Sequence, residues 1–145
     1  MSNTLVTGSS GVLGSAFKKI ISNRKNLKKN FIFPSSKDLN LLNAKDIYKF
    51  LKINKIKNII HLAAVWGGMG LSGKDFQAKM FHDNLLMFLN ILEVSKDLKI
   101  KKILLTLSNG MYSPHLKMPY KENVIHDGKT DQALYGYFYA KRMME

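Results

Sequence analysis

The sequence is poor in three kinds of residue: it has no cysteine, only three prolines, and ten acidic residues against 23 lysines and arginines. The absence of cysteine excludes a disulfide scaffold, a thiol nucleophile and a thiolate metal site. No apolar stretch reaches the ~20 residues of a membrane span, and the N-terminus lacks the basic and apolar segments of a signal peptide. Since 46% of the 145 residues are hydrophobic, we expect a globular cytoplasmic domain with no membrane partner and no metal site.

The scarcity of acidic residues leaves a formal net charge of +13, which attracts nucleic acids and other polyanions. The lysines, however, are spread over most of the predicted helices and loops, often beside asparagine and isoleucine. Such a distribution is more typical of a compositional bias than of a binding stripe. We therefore predict no nucleic-acid partner.

Three glycines follow the apolar run at residues 5–7 with the spacing G-x-x-G-x-x-G. In dinucleotide-binding folds such glycines allow a tight strand-to-helix turn, close approach of the backbone to a pyrophosphate, and packing of helix on strand. The N-terminus of the following helix then directs its N–H groups at the phosphates. A plain turn before a helix is the alternative. Because apolar residues recur afterwards at helical spacing, we predict a phosphate cradle made of Thr7, Gly8, Ser10, Gly11, Val12, Leu13 and Gly14.

The end of the second predicted strand, residues 31–33, decides between NAD and NADP. An acidic residue at this place binds the ribose 2′-hydroxyl of NAD. Here Ser35, Ser36 and Lys37 occupy the place, with no carboxylate before Asp38. Two hydroxyls and an ammonium suit a 2′-phosphate better, so we predict NADP(H) as the cofactor.

Strand and helix patterns alternate along the rest of the chain. A helix is predicted over residues 44–53 with Asn43 as its N-cap, and a longer one over residues 76–98. Further strands are predicted at 58–62 and 103–107. This order indicates an α/β protein with a Rossmann-like, doubly wound parallel sheet. The core face of the longer helix is predicted to comprise Phe81, Leu85, Phe88, Leu89 and Leu92.

The residues after the strand at 58–62 are expected at the ligand-binding edge of the sheet. Leu62, Ala63 and Ala64 form this segment, and the two alanines are small enough for a flat cofactor to lie close to the backbone. Tight packing explains the alanines equally well. A glycine-rich loop over residues 65–70 follows, and we expect it to form part of the site.

Residues with acid–base chemistry follow the later elements. Ser108 comes directly after the fourth strand, and Tyr137 and Lys141 share one face of a helix that starts near Leu134. The ordinary pKa of tyrosine, about 10, is too high for acid–base work near neutrality unless a nearby ammonium stabilises the phenolate. We predict Tyr137 as general acid–base, Lys141 as that ammonium and Ser108 as hydrogen-bond donor to the substrate oxygen. For Tyr137 or Lys141 alone, a surface pair is the favoured interpretation, and only their occurrence in order with Ser108 and the N-terminal glycine motif favours catalysis. Asn84 interrupts the apolar pattern of the long helix and requires a hydrogen-bonding partner.

Together these motifs resemble the extended short-chain dehydrogenase/reductases of the NAD-dependent epimerase/dehydratase type. The similarity covers nearly the whole chain and rests on Thr7 to Gly14, Asn40-Leu41-Leu42-Asn43, His61-Leu62-Ala63-Ala64 with Gly67-Gly68, Glu122 with Ile125-His126, and residues 136–143. The resemblance implies NADPH as cofactor, with Asn40 and Leu41 near its adenine. It also implies GDP-4-keto-6-deoxy-D-mannose as substrate, epimerised at C3 and C5 and then reduced at C4 to GDP-L-fucose.

The resemblance also implies residue roles and an assembly. Ser108, Tyr137 and Lys141 correspond to the catalytic triad of the family, and Asn84 to the helix asparagine that supports it. Tyr137 and Lys141 are further expected to contact the cofactor. The full-length protein is expected to be a homodimer.

Two features depart from the family pattern. Gly110 stands where the family carries a cysteine that serves as acid–base in epimerisation, and neither His115 nor His126 can be assigned the role of the family's second acid–base group, a histidine. Family chains also continue into a smaller sugar-nucleotide-binding domain. Residues 1–145 are therefore predicted to be the incomplete NADP-binding domain of a longer enzyme, inactive alone. Two alternatives stay open: another NAD(P)-dependent nucleotide-sugar epimerase or dehydratase, and a non-catalytic nucleotide-binding protein.

Overall fold

The computed structural model describes residues 3–67 and 74–145. Within these residues, a parallel sheet has the strand order β2-β1-β3-β4, with β1 at Asn3–Thr7, β2 at Phe31–Ile32, β3 at Ile56–His61 and β4 at Lys102–Leu105. Leu5 at the centre of β1 pairs with Ile32 on one side and Ile59 on the other. The prediction of a Rossmann-like parallel sheet is confirmed, with β3 and β4 beginning one or two residues earlier than predicted.

Four helices lie close to the positions expected from the sequence: α1 at Val12–Ser22, α3 at Ala44–Ile53, α4 at Lys74–Asp97 and α5 at Tyr135–Arg142. The short helix α2 at Lys25–Lys28 and the 3-10 turns at Asn109–Met111 and Glu122–Val124 were not predicted. The bounds of α3 match the prediction because Asn43 caps the helix. Its Oδ1 accepts hydrogen bonds from the N–H groups of Lys45 and Asp46 at 2.9 and 3.3 Å. No helix in the described ranges combines the length and the apolar character needed to cross a lipid bilayer.

The described residues form two compact units, and the first contains the chain up to Ala64 together with Leu89–Thr106. Its strand order reverses direction between β1 and β3. Right-handed connections between parallel strands then place α1 on one face of the sheet and α3 on the other. The core of this unit comprises residues that are at most 5% exposed: Leu5, Leu39, Ile47, Leu51, Ile56, Ile59, Ile91 and Val94.

The second unit contains Val65–Phe88 and Leu107–Glu145. A buried arginine, Arg142, ties its loops to α5. The guanidinium donates through Nε to the Met111 carbonyl at 2.9 Å and through Nη1 to the Gly128 carbonyl at 3.0 Å, and Nη2 also donates to Met111. Backbone oxygens therefore satisfy a cation that is only 7% exposed, which makes its burial tolerable.

The apolar face predicted for α4 is not its buried face. Phe88 is buried, but Phe81, Leu89 and Leu92 are 38%, 50% and 41% exposed. The buried positions recur every three or four residues, at Gln77, Met80, Asn84, Met87, Ile91 and Val94. The prediction was wrong because two members of this face are polar and find hydrogen-bond partners in the interior. An apolar stripe of α4 is thus left uncovered by the described part of the chain.

Candidate active site

Two of the three motif glycines are required by the packing of the loop itself. Gly8 has φ +68°, in the left-handed region, and a Cβ there would lie 2.5 Å from the Ala63 nitrogen. A Cβ on Gly14 would lie 2.1 Å from the Gly8 carbonyl oxygen. Both distances are far below van der Waals contact with backbone that cannot move away. The tight turn and the helix packing predicted from the motif are therefore present.

Gly11 is different, because the described protein leaves room for a side chain there. The nearest atom to a Cβ on Gly11 would be the Gly8 carbonyl oxygen at 3.4 Å, an ordinary contact. Gly11 is also the N-cap of α1 and has no side chain with which to cap it. Beside it, Val12 and Leu13 are 89% and 62% exposed. An open, uncapped helix N-terminus of this kind is a ready anion site, so the loop fits a pyrophosphate.

A buried hydrogen-bond chain joins the ends of β1 and β3. The Thr7 hydroxyl lies 2.9 Å from Nδ1 of His61 and accepts a hydrogen bond from the Ala63 N–H at 3.2 Å. Thr7 and His61 are 2% and 1% exposed. These strands flank the reversal of strand order, the switch point at which α/β sheets bind ligands. Thr7 thus supports the shape of the loop through its own side chain.

The residues predicted to hold the 2′-phosphate lie in an exposed turn after β2. Ser9, in the glycine loop, donates to the Pro34 carbonyl at 3.1 Å and so connects that loop to this turn. The backbone N–H and hydroxyl of Ser35 both donate to the Asp38 carboxylate, at 2.9 and 2.6 Å. These bonds hold the pKa of Asp38 below its usual range. A carboxylate therefore engages Ser35, whereas no such bond to the Asp38 carboxylate is made by the exposed Ser36 and Lys37 among the described residues.

The segment predicted to lie near the adenine is held by asparagines. The Asn40 side chain accepts from the Leu42 N–H at 3.0 Å, which shapes the turn. The Leu41 carbonyl accepts from Nδ2 of Asn90 at 3.0 Å. Asn90 is 8% exposed and was not predicted, because its partner lies 49 positions away in the sequence.

In the second unit, Ser108 caps the 3-10 turn that follows β4. Its hydroxyl oxygen accepts from the Gly110 N–H at 3.3 Å, which leaves its own proton available to donate. Ser108 lines a cavity of about 370 Å³ that also contains two carboxylates, Glu122 and Glu145; the other lining residues are Leu107, Asn109, Met111, Tyr112 and Ile125. The hydroxyl predicted to bind a substrate oxygen thus faces a space that a substrate can enter.

Tyr137 and Lys141 lie on one face of α5, as predicted. Nζ of Lys141 is 5.6 Å from the centre of the Tyr137 ring. Lys141 is only 1% exposed, and burial lowers its pKa to about 8. Burial also raises the pKa of the Tyr137 phenol, which is opposite to the lowering expected from the neighbouring ammonium. Near neutral pH this arrangement holds a protonated phenol beside an ammonium, the state required of a proton donor.

Asn84 finds its partners in the backbone. It is fully buried; its Oδ1 accepts from the Val65 N–H at 2.9 Å, and its Nδ2 donates to the carbonyls of Val65 and Met80 at 2.8 and 2.6 Å. The asparagine therefore clamps the start of the loop after β3. Within that loop, Gly68, Met69 and Gly70 lie outside the described residues.

Position 110 is filled from α5. A Cβ on Gly110 would lie 2.2 Å from the ring of Phe138, so the ring occupies the space that a side chain at this position would need. Neither Phe138 nor Arg142 was singled out from the sequence. Their neighbours on α5 carried the recognisable pattern, and their own contacts are made to distant loops.

These features define a Rossmann-type dinucleotide-binding protein with a Tyr-x-x-x-Lys helix. Over residues 4–145 the sequence matches the NAD dependent epimerase/dehydratase family, and the chain belongs to that family. The resemblance found in the motifs is thereby confirmed.

Several relatives share this part of the fold. A probable GDP-L-fucose synthase of Drosophila melanogaster is 29% identical over the whole chain, which covers 45% of its length. The GDP-L-colitose synthase of Yersinia pseudotuberculosis is 35% identical over 94% of the chain and 43% of its own length. The crystal structure of a GDP-L-fucose synthetase from Naegleria fowleri bound to NADP is 30% identical, with a TM-score of 0.83 over 99% of the chain and 42% of that protein. The chain thus spans less than half the length of these relatives.

Proposed function

We propose that this chain is the NADPH-binding and proton-donating part of an enzyme that reduces a GDP-linked 4-keto-6-deoxy sugar at C4. The proposed overall reaction converts GDP-4-keto-6-deoxy-D-mannose to GDP-L-fucose. The observation that carries the proposal is the pairing of the buried Lys141 ammonium with the Tyr137 ring at 5.6 Å. The names of the fucose and colitose synthases among the relatives support a GDP-linked substrate.

The residues of the second unit suit the proton transfer that accompanies reduction. Bound NADPH supplies the hydride that reduces the ketone carbon. The Tyr137 phenol gives its proton to the ketone oxygen as that oxygen gains negative charge. Ser108 donates a hydrogen bond to the same oxygen, and the Lys141 ammonium stabilises the phenolate that remains. Burying an ammonium is energetically unfavourable, and its place beside the Tyr137 ring suits Lys141 to this role.

The first unit suits NADP(H). Gly11 leaves space at the N-terminus of α1 for the pyrophosphate, and Ser36 and Lys37 are exposed where the 2′-phosphate is expected. NADP is bound in the Naegleria fowleri relative. NADP(H), the cofactor predicted from the sequence, therefore agrees with the cofactor bound in this relative.

A second candidate is reduction at C4 without inversion at C3 and C5, and the contact between Gly110 and Phe138 favours it. Inversion next to a ketone requires a proton donor and an acceptor on opposite faces of the ring. Position 110 offers no such group, and the Phe138 ring, 2.2 Å from a Cβ placed there, would have to move to admit one. The pair of His126 Nε2 and Glu145, 2.9 Å apart, is an acid–base pair of this unit that could substitute.

One experiment on the full-length protein separates the candidates. The protein is supplied with NADPH and GDP-4-keto-6-deoxy-D-mannose in heavy water. Absorbance follows the oxidation of NADPH, and NMR follows the incorporation of deuterium at C3 and C5. Oxidation with exchange supports the fucose-forming reaction, and oxidation without exchange supports C4 reduction alone. The absence of NADPH oxidation would refute both. If exchange is fast, loss of exchange in His126→Gln would identify the acid.

We also propose that the full-length protein is a homodimer. The uncovered stripe of α4 exposes Leu89 and Leu92 at 50% and 41%, and a second copy is a partner that can bury it in a symmetric interface. Light scattering should give twice the monomer mass for the wild type. The Leu89→Lys variant should be monomeric, with an unchanged circular dichroism spectrum.

A further inference from the structure

A buried glutamine on α4 holds the first turn of the helix that carries Tyr137. Gln77 is 1% exposed. Its Oε1 accepts from the Gly136 N–H at 2.9 Å, and its Nε2 donates to the Ala133 carbonyl at 3.1 Å. One side-chain amide therefore joins the backbone on both sides of Leu134, where α5 begins.

These bonds supply what the sequence of α5 does not. The first N–H groups of a helix need acceptors, which a polar N-cap residue normally provides. The N-cap of α5 is Leu134, whose apolar side chain cannot accept a hydrogen bond. Gln77 provides the acceptor instead, although it is 59 positions away in the sequence.

The backbones at this point are also in direct contact. A Cβ on Gly136 would lie 2.0 Å from the Gln77 carbonyl oxygen. Since α5 has only eight residues, it is too short to be stable by itself, and its position is set by what holds its ends. Arg142 holds the C-terminal end through the carbonyls of Met111 and Gly128.

We propose that Gln77 is the positioning residue of the general acid: its amide fixes the start of α5 and thereby places Tyr137, the residue that follows Gly136. The catalytic part of this inference rests on the proposed reduction. The placement of Tyr137 does not depend on it.

The test compares two variants that remove different parts of the amide. Gln77→Met keeps the volume but removes both hydrogen bonds. Gln77→Glu keeps an acceptor for the Gly136 N–H and replaces the donor to Ala133 by a repelling oxygen. Gln132→Met is the matched control, because Gln132 is exposed and its bond within the described residues is local, to the Thr130 carbonyl at 2.9 Å.

Hydrogen exchange and tyrosine titration measure directly, in this chain, whether Gln77 fixes the start of α5 and the position of Tyr137. In Gln77→Met, amide exchange in α5 should rise about tenfold, as expected for the loss of a buried hydrogen bond, while α1 and α3 exchange as in the wild type. The Tyr137 pKa, followed by NMR of labelled tyrosine, should fall toward its ordinary value as the ring becomes hydrated. Gln77→Glu should lie between wild type and Gln77→Met. Unchanged α5 exchange in both variants would refute the inference, as would equal loosening of α1 and α3.

Activity of the full-length protein then separates this inference from the proposed function. In Gln77→Met, kcat for NADPH-dependent reduction should fall about tenfold, whereas the KM values and the control variant should stay near wild type. An active wild type with unchanged kcat in both Gln77 variants would refute the catalytic role of Gln77 alone. An inactive wild type whose α5 still loosens in Gln77→Met would refute the proposed function and leave the placement of Tyr137 established. If Gln77→Met does not fold, Gln77→Glu decides by the same measurements.

Discussion

The glycine loop and the α5 helix bring their functional groups into position by opposite means. In the loop, backbone approaches backbone so closely that Gly8 and Gly14 cannot carry side chains. Around α5, buried polar side chains reach across to backbone groups, as Gln77, Asn84 and Arg142 do. A binding site for a phosphate chain can be built from main-chain N–H groups, which need only a shape. A proton donor needs one side chain at one place, and its supports are accordingly side chains with specific partners.

Of the changes considered for the glycine loop and α5, loss of the proposed proton donor on α5 is expected to have the largest effect. Tyr137→Phe should lower the rate of ketone reduction in the full-length protein by about 10²–10⁴-fold, because no phenol remains to protonate the oxygen. NADPH affinity should stay within about twofold, since main-chain N–H groups of the loop are expected to bind the phosphates and phenylalanine keeps the aromatic ring at position 137. Steady-state kinetics and fluorescence titration measure the two quantities. Tyr135→Phe, at a partly exposed neighbouring position, is the control and should retain activity.

The second prediction separates the glycines of the loop. Gly14→Ala should lower the free energy of unfolding by about 3 kcal/mol, because its Cβ meets the Gly8 carbonyl oxygen and the backbone must shift. Gly11→Ala should fold as well as wild type but bind NADPH at least about tenfold more weakly, since its methyl group occupies the space proposed for the pyrophosphate. Urea denaturation and fluorescence titration provide the measurements. Equal destabilisation by both substitutions would show that Gly11 serves packing after all.

The third prediction concerns the buried ammonium. Since the pKa of Lys141 falls from 10.5 in the unfolded chain to about 8, the folded chain holds fewer protons between these values and stability rises with pH across this window. Below this pH window, burial of the charged Lys141 side chain lowers the free energy of unfolding by about 3 kcal/mol. Lys141→Met should therefore be more stable than wild type by up to about 3 kcal/mol near neutral pH, with an advantage that shrinks toward about pH 10.

Urea denaturation at several pH values tests this expectation. Lys49→Met, which removes an exposed lysine of α3, is the matched control and should show no such pH-dependent gain. A constant difference between Lys141→Met and wild type across the window would mean that Lys141 does not change its charge there.

The smallest predicted effects concern the turn after β2. NADPH should bind more tightly than NADH, and Ser36→Asp should reverse this preference by placing a negative charge near the 2′-phosphate. Asp38→Asn should act in the opposite direction and improve NADPH affinity by about threefold, because the carboxylate bound to Ser35 is charged at neutral pH and lies among these residues. Fluorescence titration of both cofactors measures each change. Stronger NADH binding by the wild type would remove Ser36 and Lys37 from the proposed phosphate site.

The features of these two regions that the sequence predicted are those held by interactions between residues close together along the chain. Asn43 caps α3 through N–H groups two and three positions ahead, and the three glycines of the loop lie within seven residues, from Gly8 to Gly14. Local patterns therefore predicted the start of α3 and the glycine loop. Gln77 binds Gly136, and Gly110 meets Phe138, across distances along the chain that no local pattern records. The same cause misled the assignment of α4, where Asn84 was interpreted as an interruption of an apolar face and Gln77 was not considered. Because Gln77 and Asn84 have hydrogen-bond partners elsewhere in the chain, they belong to the buried face of α4.

The buried guanidinium of Arg142 has a consequence for how this protein can diverge. Its bonds run to the carbonyl oxygens of Met111 and Gly128, which every amino acid provides. Side chains along the loop that lines the cavity can therefore be exchanged over generations while the loop remains anchored to α5. Under the proposed function, such exchanges would alter the substrate that is accepted while the proposed proton donor keeps its position.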